Sequence, residues 1–228
     1  MADFIRQFKD LRFRIFYGAL LCHRHPLIEL GNRATGCSWN LCPAGLDAHS
    51  VIYSGGVGRD ITFEHALVKN YGSQVVLFDP SPTGMETMAL PENKIPQFKF
   101  HPVGLAGKCG TLKFSAPQDE AEGSWFRQAG GKASLEVPCV DLATLMRQNG
   151  HDHIDLLKID IEGAEYEVLD DLLNRRLRVK QVLVEFHHRL LPGIRRGQTI
   201  RAILKMAWAG YRLLKRDGEN LTFLKPAR

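Results

Sequence analysis

Carboxylates crowd the end of an apolar run in the middle of the chain. Residues 154–169 read IDLLKIDIEGAEYEVL, in which Asp160 and Glu162 directly follow residues typical of a buried strand. Ligands of open α/β sheets bind outside the carboxyl ends of the strands, so we expect Asp160 to lie beside a ligand. Glu165 and Glu167 fall in the first turn of the next helix, where acidic side chains offset the helix dipole, and we assign them no chemistry.

A second reactive group follows the next apolar run, VKQVLVEFHH. Alternation along a strand places Glu185 and His187 on one side, and neighbouring parallel strands end at the same edge. We therefore predict Asp160, Glu185 and His187 as catalytic residues, with His187 or Asp160 as general base and Glu185 orienting the imidazole. Two alternatives stay open. His187 could be purely structural, or Asp160, Glu162 and Glu185 could hold Mg²⁺, although the leading interpretation contains no metal.

Glycines break an earlier apolar run at YSGGVGRDITFE. Gly55, Gly56 and Gly58 would let a ligand approach the backbone, but tight turns use glycine too, so this loop is weak evidence by itself. Ile61 stands where a dinucleotide fingerprint has its third glycine, which argues against NAD or FAD. Asp79 ends the next predicted strand, where a carboxylate can accept hydrogen bonds from both hydroxyls of a ribose. Together these features favour an adenosine-type ligand.

Positioning these groups requires a mostly parallel sheet covered by helices, and the chain has that pattern. Apolar, β-branched runs alternate with segments of helical period. The predicted strands are residues 50–54, 73–79, 97–105, 154–160 and 179–187, followed by a C-terminal hairpin with Asp217 and Gly218 at its turn. Short strands around a glycine-rich loop are predicted between residues 107 and 140.

Helices are predicted between these strands. One begins after Ser81, with Pro82 at its first position, and another is capped by Asp141 and ended by Gly150. Further helices span residues 60–72 and 163–173. In the last helix, residues 198–210, the apolar stripe is predicted to contain Ile200, Ile203, Leu204, Ala207 and Trp208.

The composition is that of one globular protein. The chain has 228 residues, 44% apolar and 24% charged, which suits a single core and excludes a disordered chain. Five scattered cysteines form no disulfide framework or zinc-ligand spacing, so we expect a cytoplasmic protein. The N-terminal segment falls far short of the ~20 apolar residues of a membrane span. We predict a basic amphipathic helix over residues 3–22, packed on the domain or, alternatively, touching a membrane surface.

Charge is distributed unevenly along the chain. From residue 141 to 171 there are nine acids against Arg147 and Lys158, whereas from 174 to 216 there are twelve Lys or Arg residues and one acid, Glu185. The basic segment either forms solvated helix faces or attracts an anionic substrate.

The run LLKIDIEGAEYEVL resembles the signature of the FkbM family of S-adenosylmethionine-dependent methyltransferases. Its typical form is Leu-Lys-Ile-Asp-(Val/Ile)-Glu-Gly-(Ala/His)-Glu. The resemblance extends from about Val51 to Lys225 and includes VIYSGGVG, LFDPSP and VLVEFH. It implies a Rossmann-like class I methyltransferase with a seven-stranded, mostly parallel α/β sheet and an antiparallel C-terminal hairpin. It also implies S-adenosyl-L-methionine as cofactor.

The resemblance assigns parts of the cofactor to residues of this chain. Gly55, Gly56 and Gly58 belong to the loop facing its methionine part, and Asp79 faces the ribose. The turn at Val103 and Gly104 faces the adenine, and Asp160 lies near the sulfonium and the acceptor. The chain departs from the family pattern in one place, because Tyr53 and Ser54 replace the acid that usually begins the loop. Asp60 is the predicted substitute for holding the amino group.

The sequence therefore predicts an O-methyltransferase acting on a hydroxyl of a small molecule or glycan. The alternative is a non-catalytic nucleotide-binding or interaction domain. Residues 1–50 are predicted as a helical or cap extension and 51–228 as the methyltransferase domain. We expect the acceptor pocket to be completed by the first fifty residues and by the loop 118–132. A nucleic-acid acceptor is not expected, since no basic motif is interleaved with aromatic residues.

Overall fold

The computed structural model describes residues 16–115, 126–127, 135–188 and 195–226. Its strands are β1 (Ile28–Asn32), β2 (Cys37–Leu41), β3 (Val51–Gly55), β4 (Gln74–Phe78), β5 (Phe98–His101), β6 (Gly104–Leu105), β7 (Gly110–Ser115), β8 (Phe126–Arg127), β9 (Leu135–Val140), β10 (Ile154–Ile159), β11 (Val179–Glu185), β12 (Arg212–Asp217) and β13 (Asn220–Leu224). Its helices are α1 (Thr62–Tyr71), α2 (Pro82–Ala89), α3 (Leu142–Asn149), α4 (Glu165–Asn174) and α5 (Arg196–Trp208). Residues 16–20 form a further helical turn.

Seven strands form the central sheet, in the order β5-β4-β3-β10-β11-β13-β12. The strands from β5 to β11 are parallel, and β13 runs antiparallel to both β11 and β12. This confirms the predicted mostly parallel sheet with a C-terminal antiparallel hairpin. Gly218, with a φ of 60°, closes that hairpin in the left-handed conformation that glycine adopts without strain.

Two helices begin at the capping residues that the sequence predicted. The Ser81 side chain accepts a hydrogen bond from the Gly84 N–H at 3.0 Å at the start of α2. Asp141 does the same for the Thr144 N–H at 2.7 Å at the start of α3, which ends at Gly150. Each cap satisfies a backbone donor that has no partner within the helix.

The predicted stripe of α5 is correct in part. Ile203 is buried and Ile200 packs against the core, as predicted, but Trp208 is 86% exposed. The other buried residues of the helix are Thr199, Ala202 and Met206. Thr199 can be buried because its hydroxyl hydrogen-bonds the Tyr166 hydroxyl at 2.8 Å and lies 3.1 Å from His188 Nδ1. A polar residue satisfied in this way turns the helix away from the face that apolar content alone predicts.

The segment before the sheet, predicted as a helical or cap extension, contains a two-stranded antiparallel ribbon, β1–β2, that was not predicted. The predicted helix over residues 3–22 lies outside the described residues up to residue 15. Trp39 and Leu41 of the ribbon are buried in the same apolar cluster as Phe63 of α1. The ribbon is therefore part of the core on this face of the sheet, and the boundary at residue 50 stays a prediction.

A smaller sheet, β6-β9-β7-β8, confirms the short strands predicted between residues 107 and 140. Apart from residues 126–127, the loop 118–132 lies outside the described residues. All five cysteines are described, and no disulfide joins any two of them. Within the part of the chain that the structure describes, no helix has the length and apolar character needed to cross a membrane.

Candidate active site

A cleft of about 990 Å³ opens at the carboxyl ends of the central strands. Gly58 after β3, Asp79 after β4 and Asp160 after β10 all line it. These are the three positions that the sequence predicted at one rim. Parallel strands bring them together because each strand delivers its end to the same edge of the sheet.

The glycine loop packs tightly against the end of β10. Gly56 has a φ of 82°, and a Cβ built on it would lie 1.9 Å from the backbone oxygen of Asp160. Gly58 has a φ of 57° and open space where a Cβ would be. Gly55, predicted as a cofactor residue, is not among the described residues lining the cleft. A Cβ there would lie 2.2 Å from Phe78 Cε2, so its small size serves packing.

Asp79 is turned back toward this loop. Its Oδ2 accepts hydrogen bonds from the N–H groups of Val57 (2.9 Å) and Gly58 (3.1 Å), and its Oδ1 from that of Ser81 (2.8 Å). Gly84 makes room for this carboxylate, because a Cβ there would lie 2.4 Å from Asp79 Cγ. A carboxylate offers about four acceptor positions, so one on Oδ1 is left for a ribose hydroxyl.

A buried carboxylate, Glu64, lies beside Ser54 at the start of the loop, where the sequence has no acid. This side chain of α1 is 2% exposed, and its Oε1 accepts a hydrogen bond from the Ser54 hydroxyl at 2.5 Å. Lys158 Nζ lies 3.8 Å from the same oxygen and donates a 2.6 Å hydrogen bond to the Gly56 carbonyl. Lys158 also lies over the Trp39 ring, 5.5 Å from its centroid. The sequence analysis missed Glu64, Lys158 and Trp39, since nothing local links them.

Asp60, the predicted substitute, lines the cleft, but its hydrogen bonds are with the turn of the ribbon β1–β2 and with the start of α1. Its Oδ2 accepts a hydrogen bond from the Thr35 hydroxyl at 2.5 Å, and its Oδ1 one from the Thr62 N–H at 2.8 Å. Burial alone would raise the pKa of Asp60, but these hydrogen bonds outweigh it and hold that pKa below its usual value. Asp60 therefore ties the start of α1 to the turn between β1 and β2.

The residues of the turn predicted to face adenine lie in two different environments. Gly104 lines the cleft, and so does Leu105, which the sequence analysis did not single out. Val103 packs against the core cluster instead and is not among the described lining residues.

A buried imidazole forms the floor at the other end of the cleft. His187 is 3% exposed, and its Nδ1 lies 2.6 Å from Oε1 of Glu165, which is fully buried. Glu165, and not Glu185, therefore orients the ring, which corrects the prediction. Helix-dipole reasoning had treated Glu165 like Glu167. The difference arises only when α4 packs on the end of β11 and turns Glu165 inward.

Two further carboxylates face the other nitrogen of this ring. His187 Nε2 lies 3.1 Å from Glu162 Oε2 and 3.6 Å from Asp160 Oδ1. Glu162 has a φ of 52°, a left-handed conformation that costs a non-glycine residue about 1–2 kcal/mol. Backbone strain of this kind is common at functional sites.

The carboxylates around His187 stabilise its protonated form. Burial lowers the pKa of His187, but the hydrogen bond and charge of Glu165 and the charges of Glu162 and Asp160 outweigh it and raise that pKa to about 10. These contacts favour the protonated imidazole, and the role of His187 as general base stays a prediction. Burial and the charge of Asp160 raise the pKa of Glu185 to about 7.

The cleft as a whole is acidic. Seven acidic side chains line it against Arg59, Lys158 and His187: Asp60, Glu64, Asp79, Glu92, Asp160, Glu162 and Glu185. None of the described Lys or Arg residues between 174 and 216 lines it. The cleft therefore attracts a cationic ligand, and the basic segment gives no support to an anionic acceptor.

Comparison with known proteins gives a family match and similar solved structures. Residues 47–213 match the model of the methyltransferase FkbM domain. Among solved structures, the chain is similar to a fibrillarin pre-rRNA processing protein of Methanococcus jannaschii, with 10% identity, a TM-score of 0.44 and coverage of 90% of this chain and 84% of that one. It is also similar to a proposed methyltransferase from Thermoplasma acidophilum, with 11% identity, a TM-score of 0.37 and coverage of 81% and 72%.

A comparison with curated proteins gave no significant match. The family match spans most of the chain, from before β3 to within β12, and includes the glycine loop, Asp79, Asp160 and His187. The chain belongs to the FkbM methyltransferase family.

Proposed function

We propose that this protein uses S-adenosyl-L-methionine to methylate a hydroxyl group of a small molecule or glycan. One observation carries the proposal: Gly58, Asp79 and Asp160, which lie far apart in the chain, line a single cleft at the carboxyl ends of parallel strands. We also propose a cytoplasmic location, because the cysteines form no disulfide.

The described residues fit this cofactor in shape and charge. The cleft of about 990 Å³ is within the range of small-molecule sites. Gly56 lets the loop pack against the Asp160 backbone, and Gly58 leaves open space within 4 Å of its Cβ position, where a ligand could approach the loop. A sulfonium and an ammonium group suit the acidic lining. Glu64 is the buried carboxylate placed to hold the ammonium, Asp79 Oδ1 would accept from the ribose, and Gly104 would border the adenine.

When bound, the cofactor supplies a methyl group activated by positively charged sulfur. The chain has to align the acceptor with that carbon, and orientation of this kind accounts for about 7–11 kcal/mol of a barrier. A hydroxyl also loses its proton as it attacks, and a positioned base contributes about 10²–10⁴-fold. Asp160 and Glu185 are carboxylates at this end of the cleft that could accept the proton, and His187, oriented by Glu165, is the alternative base.

A transfer assay with methyl-labelled cofactor tests this function. The full chain is incubated with panels of sugars, phenols and hydroxy acids, and label in a hydroxyl product is the expected result. Melting with S-adenosylmethionine, S-adenosylhomocysteine and NAD gives the binding arm, because a ligand that binds only the folded form raises the midpoint. A midpoint raised by NAD alone would refute the proposal.

The second candidate is a binding domain without turnover. The specific observation in its favour is that backbone N–H groups occupy most of the acceptor positions of Asp79. It predicts a raised midpoint with the cofactor and no transfer to any acceptor of the panel. Transfer to even one hydroxyl would exclude it.

A further inference from the structure

The buried imidazole at the floor of the cleft is fixed from one side. His187 Nδ1 lies 2.6 Å from Glu165 Oε1, which also accepts a 2.9 Å hydrogen bond from the Gly163 N–H. With that nitrogen held by a fully buried carboxylate, Nε2 points toward the ends of β10 and β11. Metal-binding histidines have this arrangement, in which a carboxylate fixes one ring nitrogen and the other faces the ion.

Oxygen ligands surround the nitrogen that remains. Asp160, Glu185 and His187 each offer a ligand atom, and these atoms all lie within 4.8 Å of one another. Glu162 adds an oxygen 3.1 Å from Nε2. Within the described residues the ring makes its hydrogen bond through Nδ1, while the contacts of Nε2 are ion-pair contacts with Glu162 and Asp160.

The charges of this group do not balance. Three carboxylates, those of Asp160, Glu162 and Glu165, lie within 3.6 Å of an imidazole that carries at most a single positive charge. Glu185 is a fourth acidic group beside them. Glu165 Oε2 is also buried without a hydrogen-bond partner among the described residues. Buried carboxylates are normally paired with cations or coordinate a metal. An additional cation would offset the excess.

We propose that Asp160, Glu185 and His187 bind a divalent metal ion, with Glu165 as the positioning residue that orients His187 and Glu162 as a further oxygen at the site. The ion takes the place of the proton on Nε2, which is released to solvent as it binds. Carboxylates together with one imidazole suit a first-row ion such as Mn²⁺ better than Ca²⁺.

The spacing requires only small adjustments. Metal–ligand distances of about 2.0–2.2 Å place ligand atoms roughly 3–4.2 Å apart around one ion. Side-chain movements of about an ångström or less would bring the present arrangement into that range. Asp160 and Glu185 are only partly buried and line the cleft, so an ion could enter from it.

The site deepens the proposed function, on which this step rests. An ion at the ends of β10 and β11 would bind the acceptor hydroxyl beside Asp160, where the methyl group is expected. It would favour transfer of the hydroxyl proton to the carboxylate oxygen of Asp160 or Glu185 that does not bind the ion. The acceptors best suited to this are those with two neighbouring oxygens, such as a diol or a hydroxy acid, which can bind one ion through both.

Binding of Mn²⁺ to the chelator-treated full chain tests the inference without any turnover. The free ion is followed by electron paramagnetic resonance, whose signal is lost on binding. We expect one ion per chain, with affinity reduced at least 10-fold in Asp160→Asn, Glu185→Gln and His187→Gln. Glu165→Gln should reduce it about 10–100-fold, as loss of an orienting partner does. Glu167→Gln is the matched control, since this exposed residue lies on the same first turn of α4 and should leave binding unchanged.

Absence of Mn²⁺, Zn²⁺ and Mg²⁺ binding by the unaltered chain at millimolar concentration would overturn the inference. Equal binding by Glu185→Gln and the unaltered chain would do the same. If His187→Gln does not fold, Asp160→Asn and Glu185→Gln carry the test, because their side chains are partly exposed. The cofactor arm is measured by melting without metal. A cofactor shift without metal binding refutes this inference alone, and metal binding without a cofactor shift refutes the proposed cofactor and leaves the metal site standing.

Discussion

The close approach of Gly56 to Asp160 gives the sharpest prediction of the structure. In Gly56→Ala the new Cβ would lie 1.9 Å from the Asp160 backbone oxygen, at a φ of 82°. The left-handed backbone costs alanine about 1–2 kcal/mol, and forcing the loop away from β10 adds about 1–3 kcal/mol, typical of overpacking. The free energy of unfolding should therefore fall by about 2–5 kcal/mol.

Gly58→Ala is the matched control, because Gly58 is in the same loop at a φ of 57° with no atom within 4 Å of its Cβ position. In Gly58→Ala only the left-handed backbone is unfavourable, so the free energy of unfolding should fall by about 1–2 kcal/mol. Urea unfolding and thermal melting measure both, and at about 2–4 °C per kcal/mol the midpoints should differ clearly. The cofactor shift should also be lost in Gly56→Ala, since the displaced loop lines the cleft. Equal stability of the two variants would refute the reasoning.

Three further predictions concern other parts of the fold. Lys158→Met leaves Glu64 buried without its cation and should lower the free energy of unfolding, measured by urea unfolding, by about 3–5 kcal/mol. If the double variant with Glu64→Gln recovers none of this stability, loss of the ion pair is not the cause. Met206→Ala should lower the free energy of unfolding by about 2–5 kcal/mol, whereas Trp208→Ser should change it by less than about 0.5 kcal/mol. A larger loss of thermal stability in Trp208→Ser than in Met206→Ala would contradict the orientation of α5. Burial raises the pKa of Tyr53 to about 12, so its contribution to stability is complete below the unfolded pKa of about 10 and is lost as pH rises through the folded value. Urea unfolding between pH 8 and about 11.5 should show a weaker decline in Tyr53→Phe, and an unchanged decline would exclude Tyr53 as a cause.

The predicted fold came from short-range patterns in the sequence. Strand ends at Asp79 and Asp160, the cap at Asp141 and the turn at Gly218 depend on a few neighbouring residues, and each is where it was expected. Parallel topology then places strand ends on one edge, which is why Gly58, Asp79 and Asp160 could be assigned to one cleft.

Packing decided what those patterns left open. Thr199 faces inward because Tyr166 from another helix satisfies its hydroxyl, which no periodicity in α5 indicates. Trp39 reaches the cleft from a ribbon that the sequence analysis did not predict.

By itself, then, the sequence determined the order of the sheet strands and helices from β3 onward and the residues at the carboxyl edge, because backbone geometry and local capping act over a few positions. Only the tertiary structure decided that Glu165 holds His187 and that Glu64 lies beside Ser54. Both contacts depend on how a helix rotates against the end of a strand. That rotation is set by the packing and hydrogen bonding of the whole core, to which each residue adds only a small part.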